Sequence, residues 1–216
     1  MRSERAKLIL EDEEHYFHHD RIFMNNPAVM QGMGLAPLVV MATTGRKALM
    51  LAVAVALLLT PTRVLCSLLL EKVKPQLART AAYCGISALV YCLVWLAMRD
   101  TFGQDVLTLG LYLPLLVVDP LVIYRHGRVP EPPKKALSKG LRITLGYALV
   151  LLMTGCLREV LSLGTVFDKE VADFMLLPLA ETPAGGFLLA GVLFAIWRSI
   201  CSAWRHYLEQ EAKKEV

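Results

Sequence analysis

An aspartate that stands directly before a proline inside an apolar run is the first place where this sequence could do chemistry. Asp119 and Pro120 lie in LGLYLPLLVVDPLVI, from Leu109 to Ile123. A proline at the first position of a helix costs little, because that N–H has no helical partner. The residue before it takes the cap position, where an aspartate oxygen accepts from the free N–H groups of the new first turn. Asp119 is therefore expected to cap a helix that restarts at Pro120. An acid at membrane depth is also a candidate for binding a proton or a cation.

Other groups offer less. Arg158 and Glu159 are adjacent, and adjacent helical positions point about 100° apart, so the two charges should have different partners. Snorkelling to the interface is the economical expectation for them, with a part in cation coupling as the alternative. The same outward reach is expected of Arg63, shortly after Pro61. His15, His18 and His19 share one helix face, but zinc normally takes a fourth donor and supporting partners. Surface pairing with neighbours such as Glu14 explains that spacing as well. Cys84 and Cys92 lie about 12 Å apart along a helix. Cys66, Cys156 and Cys201 are isolated, so packing is the expected role of all five cysteines.

The elements that must position these residues are membrane spans. The chain has 216 residues, of which 56% are hydrophobic, and a mean hydropathy of +0.50, too apolar for an ordinary soluble domain. The net charge of +4 sits in connections and tails, without the interleaved aromatics of a nucleic-acid surface. Five cysteines without framework spacing argue against a disulfide scaffold. A cleaved signal peptide is not expected, because a long charged leader precedes the first apolar run.

Six spans are expected, each near the length that a bilayer demands: Asn26–Thr44, Ala48–Leu70, Ala81–Met98, Val106–Tyr124, Leu141–Leu163 and Gly185–Trp204. Residues 1–25 form a cytoplasmic or interfacial segment with a modest amphipathic helix, 26–204 the membrane domain, and 205–216 a charged cytoplasmic tail. The second and fourth connections and the C-terminus are basic, and the fifth connection is acidic. That bias places both termini in the cytoplasm, with Arg46 and Lys47 as the exception. Pro130, Pro132 and Pro133 make the fourth connection stiff.

The first and fourth spans share a feature. NNPAVMQGMGLAPLVVM, from Asn25 to Met41, carries Gly32, Gly34 and Pro37, and Pro37 aligned with Pro120 puts PLVV over PLVI. Both spans are expected to break near midplane and restart at these prolines, with Ala36 at the first cap position offering no side-chain oxygen. Paired broken helices point to an inverted 3+3 repeat with a functional centre at midplane. Two kinked helices serving only packing would give the same pattern.

NNPAVMQGMGLAPLVV resembles the opening of the Rnf and Nqr membrane subunits, N-N-P-x-L-V-Q-x-L-G-L-C-P-L, which share one six-helix fold. LYLPLLVVDPLVIYR is similar to that family's I-P-L-I-V-T-N-C-I-V-V-G-R, and LREVLSLGTVFD to L-R-E-I-I-G-N-G-T-L-F, an element of the E/D-type subunit. The likeness runs from about Asp20 to Trp204. It implies a membrane subunit of a multisubunit, ion-translocating electron-transport complex, in which ferredoxin or NADH oxidation builds an Na+ or H+ gradient. It also implies a sister subunit of the same fold in opposite orientation and a location in a bacterial or archaeal cytoplasmic membrane. In that family two cysteines supply half the ligands of a shared [2Fe–2S] cluster, and those positions here are Ala36 and Pro120. The cluster is therefore not expected to be ligated conventionally by this chain, and [2Fe–2S] and flavin groups are expected elsewhere in the complex. No catalysis by the chain alone is expected. The candidate functional residues are Asp119, Arg158, Glu159, Gly34, Pro37 and Pro120. Two alternatives remain: a non-redox scaffold or assembly paralogue, and a small-solute or cation transporter with Asp119 as its binding carboxylate.

Overall fold

The computed structural model describes residues 21–70, 73, 75–123, 132–167, 169–171 and 176–213. The N-terminal amphipathic segment with its three histidines, most of the second and fourth connections, and Asp168 and Asp173 lie outside the described residues.

Asn26 opens the first element, α1 (Pro27–Gln31), by accepting from the Ala28 N–H, and Pro27 occupies the first turn. The helix stops at Gly32, which adopts the left-handed conformation, and a π-turn follows over Pro37–Met41. Helix α2 (Gly45–Leu69) starts behind Thr44, whose hydroxyl accepts from the Lys47 N–H. Helix α3 (Gln76–Phe102) runs on into a 3-10 stretch, Gly103–Leu109. The next stretch is assembled from short pieces: α4 (Tyr112–Leu115), a 3-10 turn over Leu116–Val118, and α5 (Pro120–Ile123). Helix α6 (Pro133–Leu163) starts on Pro133. A two-residue hairpin follows, pairing β1 (Thr165–Val166) antiparallel with β2 (Lys169–Glu170). A 3-10 turn over Pro178–Glu181 leads into α7 (Pro183–Lys213).

The chain is thus mainly helical, and four helices, α2, α3, α6 and α7, are long and apolar enough to cross a membrane. The two further expected crossings, 26–44 and 106–124, are broken, as their prolines and glycines suggest. Several boundaries differ from the expected ones. α6 begins well before Leu141 and α7 runs well beyond Trp204. Hydropathy locates only the apolar window, whereas lysine, arginine and glutamate continue a helix readily. The first restart also comes earlier than Pro37. Leu35 and Ala36 are already helical, and the Leu38 N–H donates to the Gly34 carbonyl at 3.4 Å. Pro37 then falls within the first turn, where its missing N–H leaves no bond unmade.

Burial separates the four long helices into two pairs. In their most apolar windows 56% of α2 and 50% of α6 are buried, against 28% of both α3 and α7. α2 and α6 are the central pair, packed along their length. Ala48 lies where Gly155 has no side chain, and the Thr60 and Thr144 hydroxyls meet at 3.3 Å. Small residues allow this close approach, which is how helices gain packing energy in a lipid solvent. Leu89, Leu93 and Leu96 on α3, and Leu188 and Val192 on α7, are exposed. These outward apolar side chains suit lipid or a neighbouring membrane protein.

Candidate functional site

The two broken segments meet at Asp119. Its backbone is extended, with φ −63° and ψ 138°, and its Oδ1 accepts from the Leu121 N–H at 2.8 Å. Its carbonyl accepts from Val122 at 2.9 Å and from Ile123 at 3.1 Å. That is the capping geometry expected of an aspartate ahead of a first-turn proline. The carboxylate also lies near the Gly34 backbone N–H of the first broken segment. The Gly34 carbonyl in turn accepts from the buried Tyr147 hydroxyl at 2.7 Å. Gly34 thus stands between side chains of two other elements, and the one from α6 holds its carbonyl.

Gly34 has to be a glycine here. Its φ is +72°, and a Cβ would stand 2.6 to 2.8 Å from three atoms of the Tyr147 ring end. The left-handed conformation and the close ring each exclude a side chain. One residue earlier on α6, the Gly146 carbonyl accepts from Asn26 Nδ2 at 2.8 Å. Gly146 and Tyr147 thus hold both ends of the first interruption, its entry at Asn26 and its turn at Gly34.

A second buried centre lies at the other end of α6. Arg158 and Glu159 are both fully buried, so the expected snorkelling does not occur. Arg158 Nε donates to the Ala180 carbonyl at 2.8 Å, Nη1 to Val39 and to Ala42 at 3.2 Å, and Nη2 to Glu181 at 3.1 Å and Thr182 at 3.2 Å. These carbonyls close the π-turn and the 3-10 turn ahead of α7. A planar guanidinium with five donors can satisfy such a ring of acceptors, and an ammonium cannot. Gly186 permits the approach, because a Cβ there would stand 2.6 Å from the Val39 oxygen and 2.9 Å from Arg158 Cζ.

Glu159 points elsewhere, as adjacent helical positions require. Its Oε2 accepts from the Gly45 N–H at 2.7 Å, at the start of α2, and its Oε1 from the Thr165 hydroxyl at 3.0 Å. An anion at a helix N-terminus meets unpaired N–H groups and the positive end of the dipole. Arg63 is buried as well, which again replaces the expected outward reach. Arg46 pairs with Asp105, so the positive charge of the first connection is met by an acid of the third. The expected exception to the charge bias is thereby offset locally.

Ala36 and Pro120 are both exposed. Neither side chain carries a donor for iron, and Pro120 lacks even a backbone N–H. These positions do not fit a thiolate-ligated cluster. The five cysteines stand on the long helices: Cys66 on α2, Cys84 and Cys92 on α3, Cys156 on α6 and Cys201 on α7. Among the described residues no three His, Cys, Asp or Glu side chains gather as a metal site.

Comparison with known proteins places this architecture. Residues 16–194 match the family model described as Rnf-Nqr subunit, membrane protein. The chain belongs to the Rnf-Nqr family. It is 33% identical over 194 residues to the E-type subunit of the ion-translocating oxidoreductase complex of Shewanella loihica, covering 81% of this chain and 82% of that relative. The corresponding E-type protein of Thioalkalivibrio sulfidiphilus is 33% identical over 189 residues, covering 80% and 82%. As an Rnf-Nqr membrane protein the chain is a multi-pass one, in keeping with its four long apolar helices.

In this Rnf-Nqr chain the sequence reading missed Asn26 and Tyr147. Asn-Asn-Pro before an apolar run is a helix-start signal that could have revealed Asn26. A tyrosine within an otherwise apolar span was the available sign for Tyr147, since a buried hydroxyl normally finds a partner. Gly34 and Asp119 are brought together, Pro37 and Pro120 each lie in a restarted turn, and Arg158 and Glu159 form a separate centre.

Proposed function

We propose that this chain is the E-type membrane subunit of an ion-translocating electron-transport complex, and that it holds its midplane centre with hydrogen bonds in place of cluster thiolates. The observation that carries the reading is the Asp119 carboxylate, which caps one broken crossing and lies beside Gly34 of the other. Three points favour an inverted 3+3 arrangement of six crossings. The broken crossings, 26–44 and 106–124, are the first of each half. The second of each half, α2 and α6, are the buried pair, and the third of each half, α3 and α7, share the same low burial. Residues of the first, third and fifth connections also meet one another, through Arg46 with Asp105 and Glu159 with Gly45 and Thr165. With the basic bias of the even connections, both termini lie in the cytoplasm, and the membrane is the bacterial or archaeal cytoplasmic membrane.

The E-type proteins to which the chain is similar are named as parts of an ion-translocating oxidoreductase complex. Its partners are accordingly the other subunits of such a complex, including a sister subunit of the same fold in opposite orientation. The exposed Ala36 and Pro120 turn toward such a neighbour, and redox groups, [2Fe–2S] and flavin, reside on other subunits. Ferredoxin or NADH is the electron donor class and Na+ or H+ the coupled ion. The test is purification from native membranes in mild detergent, with assay of co-purifying subunits, iron, flavin and donor-driven ion transport. Co-purifying redox subunits with transport support the reading. Stable partners without redox groups would favour a scaffold, the reading that the missing thiolates suggest. Gradient-driven uptake by the isolated chain would favour a transporter.

A further inference from the structure

The geometry points to a binding site for the head group of an anionic phospholipid, between the start of the first crossing and the C-terminal half of α7. A cavity of about 380 Å³ opens there, lined by Arg198, Arg205 and Ser202 of α7 with Asn25, Met24 and Met30 of the first crossing. Its volume is that of a small-ligand pocket. The two guanidiniums are seven residues apart, two helical turns, and so share one face. The methionines supply apolar wall beside polar donors, which suits a molecule with a charged head and an apolar tail. Among its described residues the lining carries two guanidiniums and no Asp or Glu.

Depth decides the class of anion. From Pro183, the 1.5 Å rise puts Arg198 roughly 22 Å and Arg205 roughly 33 Å along α7. With a hydrocarbon core of about 30 Å, Arg205 stands at the head-group level and Arg198 deeper than that level. A cation so deep and exposed to the bilayer is costly without an anion or an acceptor. Arg198 donates one N–H to the Met30 carbonyl at 3.4 Å, and a guanidinium has five to give. A phosphodiester reaching down from the head-group region meets both arginines at once. Trp204 and Tyr207, exposed and 6.1 Å apart by ring centroids, mark the same level, where amphipathic rings settle at the interface. Trp197, whose Nε1 donates to the Phe23 carbonyl at 3.0 Å, fixes the two walls to each other.

The test uses quenching of tryptophan fluorescence by lipids with brominated acyl chains, on the full chain in detergent with Trp95→Phe to silence the distant indole. Brominated phosphatidylglycerol is expected to quench at a lower mole fraction than brominated phosphatidylcholine. In the folded Arg198→Gln/Arg205→Gln double variant that preference should fall by about fivefold per arginine, the usual contribution of a cation near an anionic surface. Equal quenching by the two lipids would overturn the proposal, as would an unchanged preference in the folded variant. Displacement of phosphatidylglycerol by millimolar inorganic phosphate would assign the cavity to a free anion and overturn it as well. If the double variant does not fold, the comparison of the two lipids on the parent chain decides alone.

Discussion

Gly34 makes the sharpest demand of any residue at the centre. It combines a φ of +72° with a tyrosine ring where its Cβ would stand. Gly34→Ala should therefore cost about 2 kcal/mol or more, the scale of a special backbone position combined with overpacking. Tyr147→Phe keeps the ring and removes one hydrogen bond, and the Gly34 carbonyl retains the Leu38 N–H. Its cost should be only about 0.5–1.5 kcal/mol. Thermal unfolding of the two variants in detergent checks the order, and equal losses would contradict it. Asp119 separates capping from ion binding. Asp119→Asn keeps one capping oxygen and should retain most stability and transport, whereas Asp119→Ala should lose about 0.5–2 kcal/mol. Donor-driven transport at matched expression decides. Complete and equal loss in both folded variants would make the carboxylate an ion-binding group. Asp119 was legible in the sequence because its signal is local, an aspartate followed by proline. Tyr147 was not, because its partner lies 113 positions away, and no local pattern encodes that distance.

At the scale of elements, Arg158 ties α6 to the π-turn and to the 3-10 turn that leads into α7. Arg158→Met leaves buried carbonyls without donors and should destabilise by about 3–5 kcal/mol, the range for removing one side of a buried charged arrangement. Arg158→Lys keeps the charge but not the planar fork, so it should recover only part of that loss. Unfolding in detergent measures both, and a lysine variant as stable as the parent would show that charge alone suffices. The four long helices and the two breaks were readable from hydropathy, proline and glycine. The burial of Arg158, Glu159 and Arg63 was not. An intramembrane cation can either reach the interface or meet carbonyls, and the choice depends on where distant turns end. The helix ends were equally hidden, because caps and polar helix formers set them rather than the apolar window.

For the whole molecule, the inverted repeat is a proposal that rests on the like burial of corresponding long helices, and the charge bias proposes its direction. Single cysteines in the fourth and fifth connections should be labelled from opposite sides of intact cells, the acidic fifth from outside. External labelling of the fourth would reverse the orientation. The central claim is that this Rnf-Nqr chain joins an electron-transport complex without lending it thiolates. The most direct measurement replaces all five cysteines by serine and records iron content and the EPR spectrum of the purified complex at unchanged assembly. The account predicts the same iron and the same signal as the parent complex. Loss of an iron–sulfur signal with assembly intact would contradict it and show that one of these thiols binds iron.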